Sequence, residues 1–186
     1  MIGVIAITII VYSILNIYSI EKEENVILTE WNKTIEKASE YKNYSVNENN
    51  IIINGENVIA ILKSKSMNKS VPILVGTSEN VLKKGAGWSE YSARFGEIGD
   101  SMVFGHRDSV FRFLKDIRVG DELTIETIDR AYEYKVINTE IVDPEYIVIS
   151  KGDGPNQLKL ITCYPFRYVG NAPQRFILTA SLKNSI

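Results

Sequence analysis

Residues 1–20, MIGVIAITIIVYSILNIYSI, carry no charge and 15 of them are apolar, which restricts the chain more than any other feature of its sequence. As a helix rising about 1.5 Å per residue, such a run is long enough for a hydrocarbon core of about 30 Å. It exceeds the apolar part of a usual secretory signal, and no small-residue cleavage site of the A-x-A kind follows it. A retained transmembrane anchor is therefore expected at 1–20. The next residues, Glu21, Lys22, Glu23 and Glu24, are acidic on balance, so the rest of the chain is expected on the extracytoplasmic side of a single-pass cell-membrane protein.

Between Asn25 and Tyr44, Ile27, Trp31, Ile35 and Ala38 recur at spacings of four, four and three with charged residues between them. That is one apolar stripe of a helix, narrow enough for a stalk leaning on a domain or on lipid, and equally suited to a domain's first helix. The polar run Asn43 to Asn50 breaks the pattern. Residues 21–50 thus read as juxtamembrane stalk and linker, and 51–186 as the folded domain.

From Ile51 onward the segments are short, rich in β-branched residues and punctuated by Gly, Pro, Asn or Asp. The expected strands are Asn57 to Leu62, Ile73 to Val75, Ser101 to Gly105, Glu122 to Thr127, Tyr132 to Val142, Tyr146 to Ile149, Gln157 to Thr162 and Arg175 to Leu182. Short helices fit at Ser78 to Lys84 and Ser109 to Lys115. No βαβ alternation and no internal repeat occurs, so the fold class is mainly β, an eight-stranded closed or nearly closed barrel with short helices.

The composition narrows the chemistry. A net charge of -2 leaves no electrostatic footprint for nucleic acid, and one cysteine with one histidine completes neither a disulfide nor a Cys/His zinc site. Any step needing a thiol or an imidazole must use Cys163 or His106. His106 follows the apolar run Met102 to Gly105, Cys163 closes the run Leu158 to Thr162, and Arg175 opens the final strand. Taken singly, each has an ordinary reading: an idle turn histidine, a small buried thiol, a solvated arginine. Together they stand at three strand mouths and supply a nucleophile, a proton shuttle and a fixed cation for an oxyanion, a complete acyl-transfer set.

The stretches GHRD, LITCYPF and GNAPQRFIL resemble the histidine, cysteine and arginine motifs of the sortases, the cysteine transpeptidases of Gram-positive cell surfaces. The resemblance covers roughly Val58 to Leu182 and includes the order of strands in an eight-stranded barrel. Tyr164-Pro165-Phe166 and Asn171 to Phe176 are similar to class D members.

The resemblance implies that His106, Cys163 and Arg175 are catalytic. Cys163 would attack the Thr-Gly bond of an LPxTG-like sorting signal on a secreted protein and hold that protein as a thioester, which an amine of a cell-wall precursor resolves. His106 would serve as acid and then base, and Arg175 would orient the peptide and face the oxyanion. The amide of Tyr164 is a second oxyanion candidate. The loop Asp143 to Asn156 should line the peptide pocket, with Ile147, Val148, Ile149 and Thr162 as substrate-binding candidates. Asp143, Glu145 and Asp153 lie in that loop, where some sortases bind calcium, but scattered acids are ordinarily solvated, so no metal and no required cofactor is expected. Two positions depart from the family pattern: Trp88 sits where many members have a histidine after the glycines, and Lys159-Leu160 stands where the cysteine motif usually begins Thr-Leu.

Two other readings compete. An L,D-transpeptidase-like cysteine acyltransferase would carry its histidine close before the cysteine, whereas here the two lie 57 residues apart. A non-catalytic, membrane-tethered β-module would have an inert thiol.

Overall fold

The computed structural model describes residues 2–40, 51–168 and 170–185. The helix α1 spans Ile2–Glu40. Nine strands follow: β1 Ile51–Ile53, β2 Glu56–Ser64, β3 Lys69–Val75, β4 Ala86–Trp88, β5 Asp100–Phe104, β6 Glu122–Glu126, β7 Ala131–Val142, β8 Gln157–Tyr164 and β9 Gln174–Ser185. A one-turn helix, α2, lies at Glu79–Leu82, and 3-10 turns lie at Arg112–Asp116 and Pro144–Tyr146.

The sheet runs β1-β2-β3-β4-β5-β8-β9-β7-β6, and β6 returns to pair with β2. Eight strands therefore close on themselves, as expected for a barrel that leaves no open edge. β1 is an addition, pairing with the first residues of β2 on the edge that β6 occupies further along. Two neighbours, β3–β4 and β5–β8, are parallel and the other pairs antiparallel.

β2 shows how sequence sets layer. Its run Val58 to Leu62 is apolar throughout, the mark of a strand buried on both faces. A register shift between Val58 and Ala60 divides the run. Ile59, Ala60 and Leu62 join the barrel interior with Phe111, Leu123, Tyr134, Leu158 and Leu178, while Val58 and Ile61 face outward. On that outer face they meet Ile27 and Trp31 of α1, with Ile35 alongside, so the stripe read from the sequence is the surface by which α1 docks on the barrel. Trp31 is 0% exposed, and Lys69 of β3 reaches the buried Glu24 at 3.4 Å. Ala38 and the polar run at 43–50 lie outside the described residues.

Further toward its start α1 presents Ile7, Ile10, Val11, Tyr12 and Leu15 exposed. Most other side chains of residues 1–21, where the anchor is expected, lie outside the description. Among the described residues no helix is long and apolar enough to cross a membrane.

Three local expectations are corrected. Tyr146 to Ile149 is not a strand: Pro144 starts a 3-10 turn ending at Tyr146, and the β-branched run after it stays irregular with Val148 and Ile149 exposed. β1 and β4 were not anticipated. β4 is three residues long and contains Gly87, whose missing side chain lets the Gly76 carbonyl approach to where a Cβ would sit 2.2 Å away.

Candidate active site

Strand register brings the three candidate residues to one end of the barrel. In the parallel pair β5–β8, Phe104 lies beside Ile161. His106 is two residues beyond Phe104 and Cys163 two beyond Ile161, so both follow the same ladder outward. On the other side of β8, Cys163 pairs directly with Arg175 of antiparallel β9. Opposed residues place their Cβ atoms about 4.5–5.5 Å apart on one face.

Two contacts fix the segment that presents His106. The Gly105 amide donates to Ile161 O at 3.2 Å, and the Thr162 hydroxyl donates to Gly105 O at 2.6 Å. Gly105 has no room for a side chain, since a Cβ would lie 2.7 Å from the Phe111 ring and 2.8 Å from Val110. The turn then closes with the Phe111 amide donating to His106 O at 3.0 Å. Thr162, expected to bind substrate, is 3% exposed with its hydroxyl bonded to Gly105 O, so it joins β8 to the histidine turn and does not line a groove.

His106, Cys163, Tyr164 and Arg175 are all half-buried, as groups must be that are reachable yet held. Arg175 turns Nη1 back onto Ala172 O at 3.1 Å and Gln174 O at 2.9 Å, which orients its planar fork from within its own loop. Tyr164 ends β8 opposite Gln174, and its peptide bond to Pro165 is cis. Its ring meets Phe166 edge-on at 6.1 Å, and Phe166 packs on Phe176 at 5.2 Å and on the barrel core.

Alternation along the strands gives the site a floor. Ile161 and Cys163 share a face of β8, as do Ile177 and Arg175 on β9 and Met102 and Phe104 on β5. Met102, Ile161 and Ile177 form a buried apolar patch with Phe104, Val142 and Ile147 packed on it. An apolar strip therefore leads up to the thiol, and an ion pair, Lys159 with Asp100 at 2.7 Å, lies at its far end. Of the three apolar loop candidates, Ile147 touches this strip, whereas Val148 and Ile149 are 71% and 42% exposed.

The loop is tethered where it rejoins the barrel: the Asp100 amide donates to Lys151 O at 2.9 Å, the Gly99 amide to Gly154 O at 3.1 Å, and Lys151 pairs with Glu97 at 2.8 Å. Lys151 holds the Glu97 carboxyl below the ordinary carboxylate range. Among the described residues, Asp143, Glu145 and Asp153 come together in no group that could hold a metal.

Trp88 lies away from this site. It is 5% exposed in the barrel core, donates Nε1–H to Ala93 O at 3.0 Å, and carries Arg94 over its ring at 5.6 Å. It lines a cavity of about 400 Å³ with Phe95, Arg130 and Tyr132, to which none of the three candidate residues contributes.

A thiol, an imidazole and a guanidinium at adjoining strand ends, beside an apolar strip, can attack, protonate and stabilise at a peptide carbonyl. The sequence-level search missed Arg107, Phe166 and the tethers at Gly99. For Phe166 the aromatic residue soon after Cys163 was a visible signal, whereas Arg107 and Gly99 act through backbone carbonyls that no side-chain pattern announces.

Comparison with known proteins bears on the same region. The Sortase domain family matches residues 62–183. Sortase D of Bacillus subtilis (strain 168) is 38% identical over 119 residues, covering 63% of this chain and 60% of the relative. Sortase A of Bacillus anthracis is 23% identical over 137 residues, covering 72% of this chain and 63% of that relative. The chain thus spans about 60% of the length of these curated relatives. Among solved structures, a Clostridium perfringens Sortase D5 transpeptidase superposes with a TM-score of 0.68 at 24% identity, covering 89% of this chain and 98% of that one. Sortase A from Corynebacterium diphtheriae gives a TM-score of 0.63 at 26% identity, over 69% of this chain and 62% of that one. With the domain matched over residues 62–183 and the barrel shared, the chain belongs to the sortase family.

Proposed function

We propose that this protein is a membrane-anchored cysteine transpeptidase of class D type that cleaves an LPxTG-like sorting signal between Thr and Gly. The observation that carries this reading is the direct pairing of Cys163 with Arg175, with His106 on the neighbouring strand end. The Cys163 thiolate adds to the threonine carbonyl, and the oxyanion that forms faces the Arg175 fork and the Tyr164 amide. Collapse breaks the C–N bond, the glycine amine leaves with the proton of the His106 imidazolium, and the acyl group remains as a thioester. An amine of a cell-wall precursor then adds to the thioester and gives its proton to His106. The new amide forms and the thiolate is regenerated.

The apolar strip with Ile147 suits the Leu-Pro part of such a signal. The uncharged run at 1–20 and the exposed Ile7, Ile10, Val11, Tyr12 and Leu15 suit burial in lipid, which puts the barrel at the outer membrane face as an extracytoplasmic domain. Its partners on this reading are secreted proteins bearing the signal, a cell-wall amine and membrane lipid. No nucleic acid and no cofactor enters the reaction.

The test is incubation with LPxTG-type peptides and candidate amines, with products read by mass. Cys163→Ala should lose both the product and the covalent adduct while unfolding at close to the parent temperature. An adduct that persists in Cys163→Ala would assign the nucleophile elsewhere, and absence of cleavage across the panel would overturn the substrate class.

A further inference from the structure

Arg107 directly follows His106 and has no part in the reaction above. Its Nη2 donates to two carbonyls of the loop between β8 and β9, Tyr168 O at 3.0 Å and Gly170 O at 3.1 Å. The guanidinium carbon also lies 5.9 Å from the Tyr168 ring centroid. The gripped loop begins at Pro165, two residues after Cys163, and ends at Pro173, two residues before Arg175.

That loop has two other holds. Phe166 packs into the barrel end near its start, and Arg175 bonds Ala172 O and Gln174 O near its finish. Between them, Arg107 ties the middle of the loop to the histidine turn. The histidine turn itself is joined to β8 through Thr162 and Gly105, on the strand side of His106. His106 therefore sits between two links, one to the strand carrying Cys163 and one to the loop joining Cys163 to Arg175.

We propose that Arg107 is a positioning residue, holding the imidazole in place relative to the thiol and the Arg175 fork while peptide and amine exchange. The inference rests on reading His106, Cys163 and Arg175 as the reacting groups. Arginine suits the task because its planar head can bridge two carbonyls and lie over an aromatic ring, whereas a lysine ammonium is a point donor on a flexible stem. A displacement of about 1 Å at a reacting group costs on the order of 100-fold in rate.

The experiment uses the full chain in detergent, with Arg107→Ala and Arg107→Lys compared with the parent. Three quantities are read: kcat and KM on an LPxTG-type peptide, the thermal midpoint, and the NMR resonances of the His106 imidazole, the only one in the chain. In Arg107→Ala, kcat should fall about 10- to 100-fold with KM within about threefold, and the imidazole resonances should shift or multiply. Arg107→Lys should recover little of the rate.

An unmoved imidazole signal with kcat within about twofold of the parent overturns the proposal, as does a lowered midpoint alone. Full recovery in Arg107→Lys overturns it too, since charge would then suffice. The imidazole signal needs no turnover, so it decides the role of Arg107 even if Cys163→Ala still cleaves and the reading of the nucleophile fails.

Discussion

Cys163 and Arg175 face each other across the β8–β9 ladder, the penultimate residue of one strand opposite the second residue of the next. Backbone hydrogen bonding, more than side-chain packing, fixes their separation. Arg175 then has its head group aimed by two carbonyls of its own loop. Arg175→Lys keeps the charge and loses that paired geometry, so kcat on an LPxTG-type peptide should fall by about 100- to 1000-fold, the usual loss for an oxyanion donor. The thermal midpoint should barely move, because the ladder does not depend on the head group. Turnover and thermal unfolding measured together check both statements, and a rate within a few-fold of the parent would make Arg175 an ordinary strand-end residue.

Thr162 offers a different separation of stability from rate. Its buried hydroxyl donates to Gly105 O, next to His106. Thr162→Val keeps the shape and removes the donor, at a cost of about 1–3 kcal/mol. At about 2–4 °C per kcal/mol for a chain of this size, the midpoint should drop measurably, and kcat should fall several-fold as the histidine turn loosens. Thr162→Ser should restore most of both. Recovery of neither by serine would show that the methyl group, and not the hydroxyl, matters there.

Much of this site was legible because the sequence is poor in reactive groups. With one thiol and one imidazole, each at the end of an apolar run, the reacting residues could be named before their contacts were known. The strand positions followed wherever β-branched residues alternate with turn signals. Legibility failed where tertiary context decides. Ile147-Val148-Ile149 has strand composition, yet the turn begun by Pro144 and the lack of a partner edge leave it a loop. Gly87 and Trp88 read as a glycine-rich link, yet β3 and β5 on either side make them a strand and draw Trp88 into the core. Arg107 looked like a surface charge because its acceptors are carbonyls 61 and 63 residues away.

Gly99 controls the placement of the loop Asp143 to Asn156. It has φ of +105°, and a Cβ there would lie 2.0 Å from Lys151 O. Gly99→Ala must therefore push the Lys151–Gly154 segment away from β5 besides straining the backbone, at about 1–3 kcal/mol. If the loop forms the peptide wall, KM should rise more than kcat falls. Gly152→Ala is the control: its φ is also positive, at +66°, but the nearest contact is Asp100 Oδ2 at 4.0 Å, so stability should drop with KM unchanged. Equal KM values for the two variants would detach the loop from peptide binding.

The same loop should respond to acid through Glu97. Hydrogen bonding from Lys151 is the largest influence lowering its pKa. A carboxyl depressed in the folded state stabilises it fully above the ordinary carboxylate range and loses that contribution as pH falls through the depressed value. Glu97→Gln should thus lower the thermal midpoint slightly near neutral pH, and the difference from the parent should vanish in strong acid. A difference that stayed constant across that range would assign the effect to something other than the Lys151 pairing.

α1 contributes to the barrel through a short part of its length. Trp31 is fully buried against Ile53, Val58 and Ile61, with Ile27 one turn earlier. Truncating a buried tryptophan typically costs about 3–5 kcal/mol, a large share of the roughly 5–15 kcal/mol that keeps a domain folded. Trp31→Ala should therefore lower the midpoint by several degrees and raise the fraction unfolded near growth temperatures. Removing residues 1–20, by contrast, leaves Glu24, Ile27 and Trp31 in place, and cleavage of a peptide in solution should continue at the parent rate. A chain starting at residue 51 should behave like Trp31→Ala or worse, because it leaves Val58 and Ile61 uncovered. Thermal unfolding of the three variants, beside their peptide turnover, separates the docking segment of α1 from the anchor. Parent-like stability in the chain starting at residue 51 would show that α1 leans on the barrel without supporting it.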